Sequence, residues 1–262
     1  MKRVLIKLSG KVVPEFLESS EWVSALAELT QNDIQVVLVH GAGVQLSSWS
    51  ERLGTTPKFY KGQRVSNAET IDVVLAVQAG LINSKLVGKL NAAKICSVGL
   101  SGISFGAFQV NRYTEHLGFV GHPVATDGVT HIKTLLENIL TPVFSTVSLG
   151  KGGTVVNVNA DIFAIELALA LEIEQIYMVS DVPAVRVLGN EVQNLSFEEL
   201  NQHIKAGEFT DGMLPKIESI LNGLETGRMC VWIGGSFPKQ IVKSILTDAE
   251  YGTKLKKEGV CA

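Results

Sequence analysis

Asn157-Val158-Asn159-Ala160-Asp161 sets two amides and a carboxylate between one apolar run, Thr154 to Val158, and another, Ile162 to Leu171. Such groups are costly to bury without partners. A ligand or opposite charges must supply them, and Lys7 and Lys216, each close to a glycine, are candidate charges. Gly10, Gly41 and Gly43 belong to the same chemistry. Lacking Cβ atoms, they let backbone N–H groups approach an oxygen-rich anion. Lys216 falls at the start of a helix expected over Ile217 to Leu224. The helix dipole disfavours a cation at that end, so the lysine points to an anion nearby. The chemistry these types can do together is the binding and handling of an anion.

The elements that must position these groups alternate between strand and helix. Arg3 to Leu8 reads as a strand closed by Ser9-Gly10, and Glu21 to Leu29 has helical spacing with Trp22, Ala25, Leu26 and Leu29 on one face. Gln35 to Val39 is a nearly continuous β-branched run, the pattern of a parallel strand buried on both sides, and it ends in His40-Gly41-Ala42-Gly43. Ile71 to Leu90 reads as a helix, Ile95 to Leu100 as a strand, and Ala107 to Val124 as an aromatic-rich segment with turns at Gly118 and Gly121. Pro142 to Leu149 and Thr154 to Val158 read as a hairpin about Gly150-Lys151-Gly152-Gly153. A helix apolar nearly all round follows at Ile162 to Leu171, then a strand at Gln175 to Val179 and a last core strand at Met229 to Ile233.

The expected fold is therefore α/β, with a mostly parallel sheet. Ligands of such sheets bind beyond the carboxyl ends of the strands. Lys7 to Gly10, His40 to Gly43, Ser101-Gly102 and Ser180-Asp181 all fall at those ends and are expected to share one crevice. A lobe boundary is expected near Leu171 to Glu174, giving lobes 1–172 and 173–262.

Two familiar phosphate motifs fail. The dinucleotide fingerprint would need glycine at Leu46, and a P-loop ending in Gly150-Lys151 would need glycine at Ser145. The histidines His116, His122 and His131 lack metal-ligand spacing, so no protein-held metal is expected. His40 reads as a structural hydrogen-bonding group. The 262 residues are 46% hydrophobic and 19% charged with net charge −3, which gives no reason to expect a nucleic-acid or membrane partner. Cys96, Cys230 and Cys261 are few and far apart, which fits a reducing cytoplasm and argues against a disulfide framework. The apolar run after Met1-Lys2-Arg3 is too short for a signal peptide, so the mature chain is expected to start at or near Met1.

Five segments in order, Ile6 to Gly10, Val39 to Gly43, Gly62 to Val65, Asn157 to Asp161 and Thr210 to Lys216, resemble the amino acid kinase superfamily over nearly the whole chain. The resemblance implies a three-layer αβα sandwich in two lobes. Its activity would be ATP-dependent phosphorylation of a carboxylate, that of N-acetyl-L-glutamate on the way to arginine. Kinases of other N-acylated amino acids, such as N-succinylglutamate, and a non-catalytic sensor on the same fold are the alternatives. By resemblance, Lys7 and Lys216 flank the transferring phosphoryl group and Asp161 holds both. Ala42, Gly43, Arg64 and Asn157 bind the amino-acid substrate. Gly10, Asp181, Val182, Arg186, Glu208, Phe209 and Thr210 line the nucleotide pocket, and Mg²⁺ is held mainly through the phosphates. Ser9, Ala42, Ile103-Ser104, Ala184 and Arg186 depart from the family pattern. Arginine-inhibited members carry a helix before the first strand. Here that strand begins by Arg3, so an arginine-insensitive cytoplasmic homodimer is expected.

Overall fold

The computed structural model describes residues 1–262 apart from 61–62, 113–115, 139, 210–212, 258 and 260–262, and apart from the side chains of Asn111 and Arg112. Eight strands form one sheet: β1 (Lys2–Leu8), β2 (Ile34–His40), β3 (Ser97–Ser101), β4 (Thr141–Ser145), β5 (Gln175–Val179), β6 (Asn194–Ser196), β7 (Cys230–Gly234) and β8 (Thr253–Lys256). Their spatial order is β6-β8-β7-β5-β1-β2-β4-β3. The six strands from β7 to β3 are mutually parallel, while β8 runs antiparallel to β7.

Both faces of the sheet are covered, which is why the central stretches Val4–Ile6, Val36–Val39, Ile176–Val179 and Val231–Ile233 are apolar. On one face Val4, Ile6 and Leu8 meet α2 (Ser20–Gln31) through Trp22, Leu26 and Leu29, and α4 (Ala68–Ala92) through Leu86 and Leu90. The short helix α1 (Val13–Glu18) and α3 (Gly43–Arg52) join the same layer. On the other face Leu5, Val37 and Val39 meet α6 (Ala160–Leu171), with α5 (Val129–Glu137) beside it. The same layer holds α7 (Phe197–Lys205) and α8 (Leu214–Glu225). Side chains alternate across a strand, so Lys7 shares Leu5's face and points at α6.

The αβα sandwich and the central strands are as the sequence reads. Three expectations change. Thr141–Ser145 pairs between β2 and β3, so the glycine turn joins only Ser148–Leu149 to Val155–Val156. These two pieces, with the hairpin of Phe108–Arg112 and Gly121–Ala125, form a separate four-stranded sheet. Nor is Cys230–Gly234 the last core strand: β8 follows it through α9 (Pro238–Thr247), with Thr253 and Leu255 fully buried. Finally, Cys96 is a free exposed thiol, whereas Cys230 is disulfide-bonded. Distance along the chain does not say which thiols meet in space. Helix α4 is long and apolar enough to cross a membrane by length and composition, yet its apolar stripe packs on the sheet.

Candidate active site

The register sets Leu8 beside His40 on one side and Val179 on the other, and Val179 beside Gly234. The loops leaving these strands are tied together: Ser9 N donates to Val179 O at 2.9 Å, Gly41 N to Leu8 O at 2.8 Å and Ser180 N to Gly234 O at 2.8 Å. Glycine is required where the first two loops cross. A Cβ on Gly10 would collide with the backbone N of Gly43, and one on Gly41 would lie 3.0 Å from Gly10 N. Ala42 stands at φ −149°, so its methyl group is accommodated without strain. Ser101-Gly102 does not join this crevice, because Gly102 packs against Ser148 and Phe163.

Asp161 sits in the first turn of α6, where the helix dipole favours a carboxylate. Asn159 caps that helix, its Oδ1 accepting from Asp161 N at 2.7 Å and Ile162 N at 3.4 Å. Lys7 Nζ lies 2.6 Å from Asp161 Oδ1. Lys216 Nζ lies 3.0 Å from Oδ2 and 3.2 Å from Oδ1. The side chains of Lys7, Asp161 and Lys216 are 4%, 14% and 13% exposed, so one buried carboxylate balances two cations and a positive excess remains. Burial brings the Lys7 ammonium down from the ordinary 10.5 to about 8; Asp161 opposes that shift and Lys216 adds to it. Burial pushes the Asp161 carboxyl up, but Lys216 and Lys7 together outweigh it and hold the group well below the usual carboxylate range. Lys216, at an unfavourable helix start, finds its anion here.

A cleft opens beside this triangle. Lys7, Gly10, Ala42, Gly43, Arg64, Asn157 and Asp161 line it, with Gln63, Gln78 and Thr146, which sequence reasoning passed over. Arg64 is nearly buried over the Phe59 ring, 4.9 Å from its centroid, and its Nη2 donates to Gly43 O at 3.1 Å and Ser47 Oγ at 2.8 Å. Its Nη1 has no partner. Burial lowers the guanidinium from its ordinary value. Asn157 is placed by its backbone, N donating to Phe119 O at 2.9 Å and O accepting from Gly121 N at 3.2 Å. His40 is fully buried, and burial takes it down to about 4. Its Nδ1 lies 3.2 Å from Gly41 O and its Nε2 3.1 Å from Asn83 Nδ2, so it is a neutral structural group, as its context predicts.

Asp181, Val182, Arg186, Glu208 and Phe209, also assigned from resemblance, do not line this cleft. Asp181 pairs with Lys11 at 2.6 Å on the surface, and the hydrogen bond from Lys11 lowers its carboxyl. Arg186 pairs with Glu191 at 2.8 Å, also on the surface. Glu208 faces His203 Nδ1 at 2.5 Å, while Val182 and Phe209 pack against the core under α8. Thr210, with Asp211 and Gly212, lies outside the described residues, as does Gly62. Of the departures from the family pattern, Ile103 packs in the core and Ser104 Oγ accepts from Ser101 N at 3.0 Å, so both do structural work. Among the described residues no group of three His, Cys, Asp or Glu side chains is placed to hold a metal ion.

Residues 2–235 match the model of the amino acid kinase family, and the chain belongs to that family. Among its relatives is the acetylglutamate kinase of Nitrobacter winogradskyi, 33% identical over 269 residues, covering 97% of this chain and 90% of that one. Among solved structures, smu.665 from Streptococcus mutans UA159 superposes with a TM-score of 0.85 at 23% identity, over 98% of this chain and 99% of that chain. Carbamate kinase from Giardia lamblia bound to AMP-PNP superposes with a TM-score of 0.72 at 15% identity, over 98% and 99% of the two chains. At these identities the two superpositions speak for the fold.

Proposed function

We propose that this chain transfers the γ-phosphoryl group of ATP to the γ-carboxylate of N-acetyl-L-glutamate, the acetylglutamate kinase reaction of arginine biosynthesis. The observation that carries this reading is the buried Lys7–Asp161–Lys216 triangle opening on a cleft whose wall offers an unpartnered guanidinium nitrogen. The acceptor carboxylate is already ionised at neutral pH, so the reaction needs no general base. It needs two anions held in line and the charge of the transferring group stabilised. Lys7 and Lys216 supply that charge in a site shielded from water, where it counts for more. Asp161 keeps the two cations together and does not itself touch the reacting atoms.

Arg64 and Asn157 take the α-carboxylate and amide of the substrate, with backbone contacts from Ala42 and Gly43. Gly10, Asp181, Val182, Arg186, Glu208, Phe209 and Thr210 serve the nucleotide. Both Asp161 oxygens face lysines, so the site suits a Mg²⁺ ion that arrives on the nucleotide's phosphates. Bound there, Mg²⁺ would offset the negative charge of the phosphates. We assign the amino acid and the dimer contact to residues 1–172 and ATP to 173–262, a division supported by the cleft's lining residues, which all fall between Lys7 and Asp161. The assembly is a homodimer in the cytoplasm.

ADP release measured with N-acetylglutamate, N-succinylglutamate, glutamate and aspartate side by side tests the reading. The highest kcat/KM is expected with N-acetylglutamate. A clear preference for another acceptor, or no turnover with any, overturns it.

A further inference from the structure

Among the described residues five buried side-chain atoms have no hydrogen-bond partner, and three of them, Gln63 Oε1, Arg64 Nη1 and Gln78 Oε1, belong to residues lining the cleft. Gln78 differs from Gln63 because other hydrogen bonds fix its amide. It is 2% exposed and lies in the π-helical stretch Leu75–Ile82 of α4, where the wider turn sets its side chain under the strand ends. Its Nε2 donates to Thr146 Oγ1 at 2.9 Å and to the His40 carbonyl at 3.3 Å. The single hydroxyl proton of Thr146 is given to the Val158 carbonyl at 2.8 Å, so Thr146 has only lone pairs to offer Gln78. Turning the amide over would set Oε1 against two acceptors. The nitrogen is thus committed to the protein, and the oxygen is left as a buried acceptor with nothing to accept.

We propose that Gln78 Oε1 accepts a hydrogen bond from the amide N–H of the bound amino-acid substrate, leaving the amide carbonyl to Asn157, and so selects an N-acyl amide over its isosteric ester. The assignment rests on the reading above that an N-acylated glutamate occupies this cleft. An unmet buried acceptor costs roughly 1–3 kcal/mol, and a substrate donor removes that cost. An ester leaves the oxygen unmet, and places its own oxygen where the N–H should be. Arg64 Nη1 is the complementary donor for the substrate's α-carboxylate, so the two orphan atoms together meet the two polar groups on its α-carbon.

The test compares kcat/KM for N-acetyl-L-glutamate and for O-acetyl-2-hydroxyglutarate of the same chirality. The wild-type protein is expected to prefer the amide by about 10- to 100-fold, the rate equivalent of one met buried acceptor. Gln78→Met, close in volume and without the acceptor, is expected to bring that ratio to within a few-fold while still turning over the ester. A side chain that only packs would move both substrates together and leave the ratio unchanged. Gln78→Asn, which keeps an amide and withdraws the oxygen by one methylene, is the second variant and is expected to collapse the ratio likewise. Wild-type protein that uses amide and ester within twofold of each other overturns the assignment without any variant. Turnover of N-acetylglutamate with a ratio unmoved by either variant overturns it alone. No turnover of N-acetylglutamate overturns the functional reading and this assignment with it.

Discussion

The molecule handles charge in two different ways in two of its regions. Around Asp161, two buried lysines lie within 3.2 Å of its carboxylate oxygens and share that single carboxylate. Around Asp181 and Arg186 the charges form one-to-one pairs, Lys11–Asp181 and Arg186–Glu191, with side chains 45% to 64% exposed. Exposed pairs contribute about 0–1 kcal/mol, because water screens them and two long side chains lose freedom. A buried cluster is held by necessity: each member removes a desolvation cost that the others would otherwise bear. Distances of 2.6 Å occur in both regions, so it is burial and stoichiometry that separate a site built to work on an anion from ordinary surface pairing.

Removing Asp161 is the severest way to break the contrast. Asp161→Ala leaves two ammonium groups facing each other in a nearly dry setting and is expected to destabilise the fold by roughly 3–5 kcal/mol, read in urea unfolding. Turnover is expected to fall with it. An unfolding midpoint unchanged from wild type would place the cluster among the surface pairs after all. Lys216→Ala removes one cation and leaves the Lys7–Asp161 pair intact. Its expected defect is in kcat, about 10²- to 10³-fold by analogy with the loss of one transition-state donor, with little change in unfolding. Near-wild-type turnover would take Lys216 out of the chemistry.

Lys7 turns the same contrast into a pH experiment. Its folded value of about 8 means that kcat/KM is expected to decline as pH rises through about 8, as the charge is lost. Anionic substrates favour the charged lysine, so the decline in kcat is expected at higher pH. Stability moves the other way. Between about 8 and the ordinary 10.5 the unfolded chain binds more protons at this lysine, so its contribution to folding rises with pH. Lys7→Met should abolish both slopes together. A kcat/KM flat from pH 7 to 9.5 would contradict the depressed ammonium.

Much of this was legible in the sequence, and the gaps have physical reasons. The buried parallel strands announce themselves because both faces are apolar, and Asn157 to Asp161 stands out because polar groups interrupt them. The sequence leaves Asn159 open between structural and functional roles; the structure makes it the cap of α6. α7 was readable from the Ser196/Glu199 capping box and its amphipathic spacing, though no motif led to it. β6 is a short edge strand, and β8 beside it is only four residues long with every second residue half-buried, so neither carries much pattern. Gln78 was hidden for a different reason: inside an apolar helical run a lone glutamine reads as a tolerated exception, and only its neighbours show that its oxygen is unmet.

Two substitutions probe the cleft wall and the surface in turn. Arg64→Ala is expected to raise KM for the amino acid by about 10- to 100-fold, the value of one charge-assisted hydrogen bond, with a much smaller change in kcat. An unchanged KM would remove Arg64 from the substrate. Arg186→Ala carries the smallest expected effect. Its guanidinium reaches Glu191 across an exposed hairpin, so the unfolding free energy should shift by less than about 1 kcal/mol and the amino-acid KM should not move. If Arg186 also serves the nucleotide, the KM for ATP rises at unchanged stability, which separates a binding role from the ion pair. An unchanged KM for ATP would leave Arg186 as a surface pair and nothing more. A stability loss comparable to that of Asp161→Ala would instead show that exposure does not divide the two regions, and the contrast between them would fail.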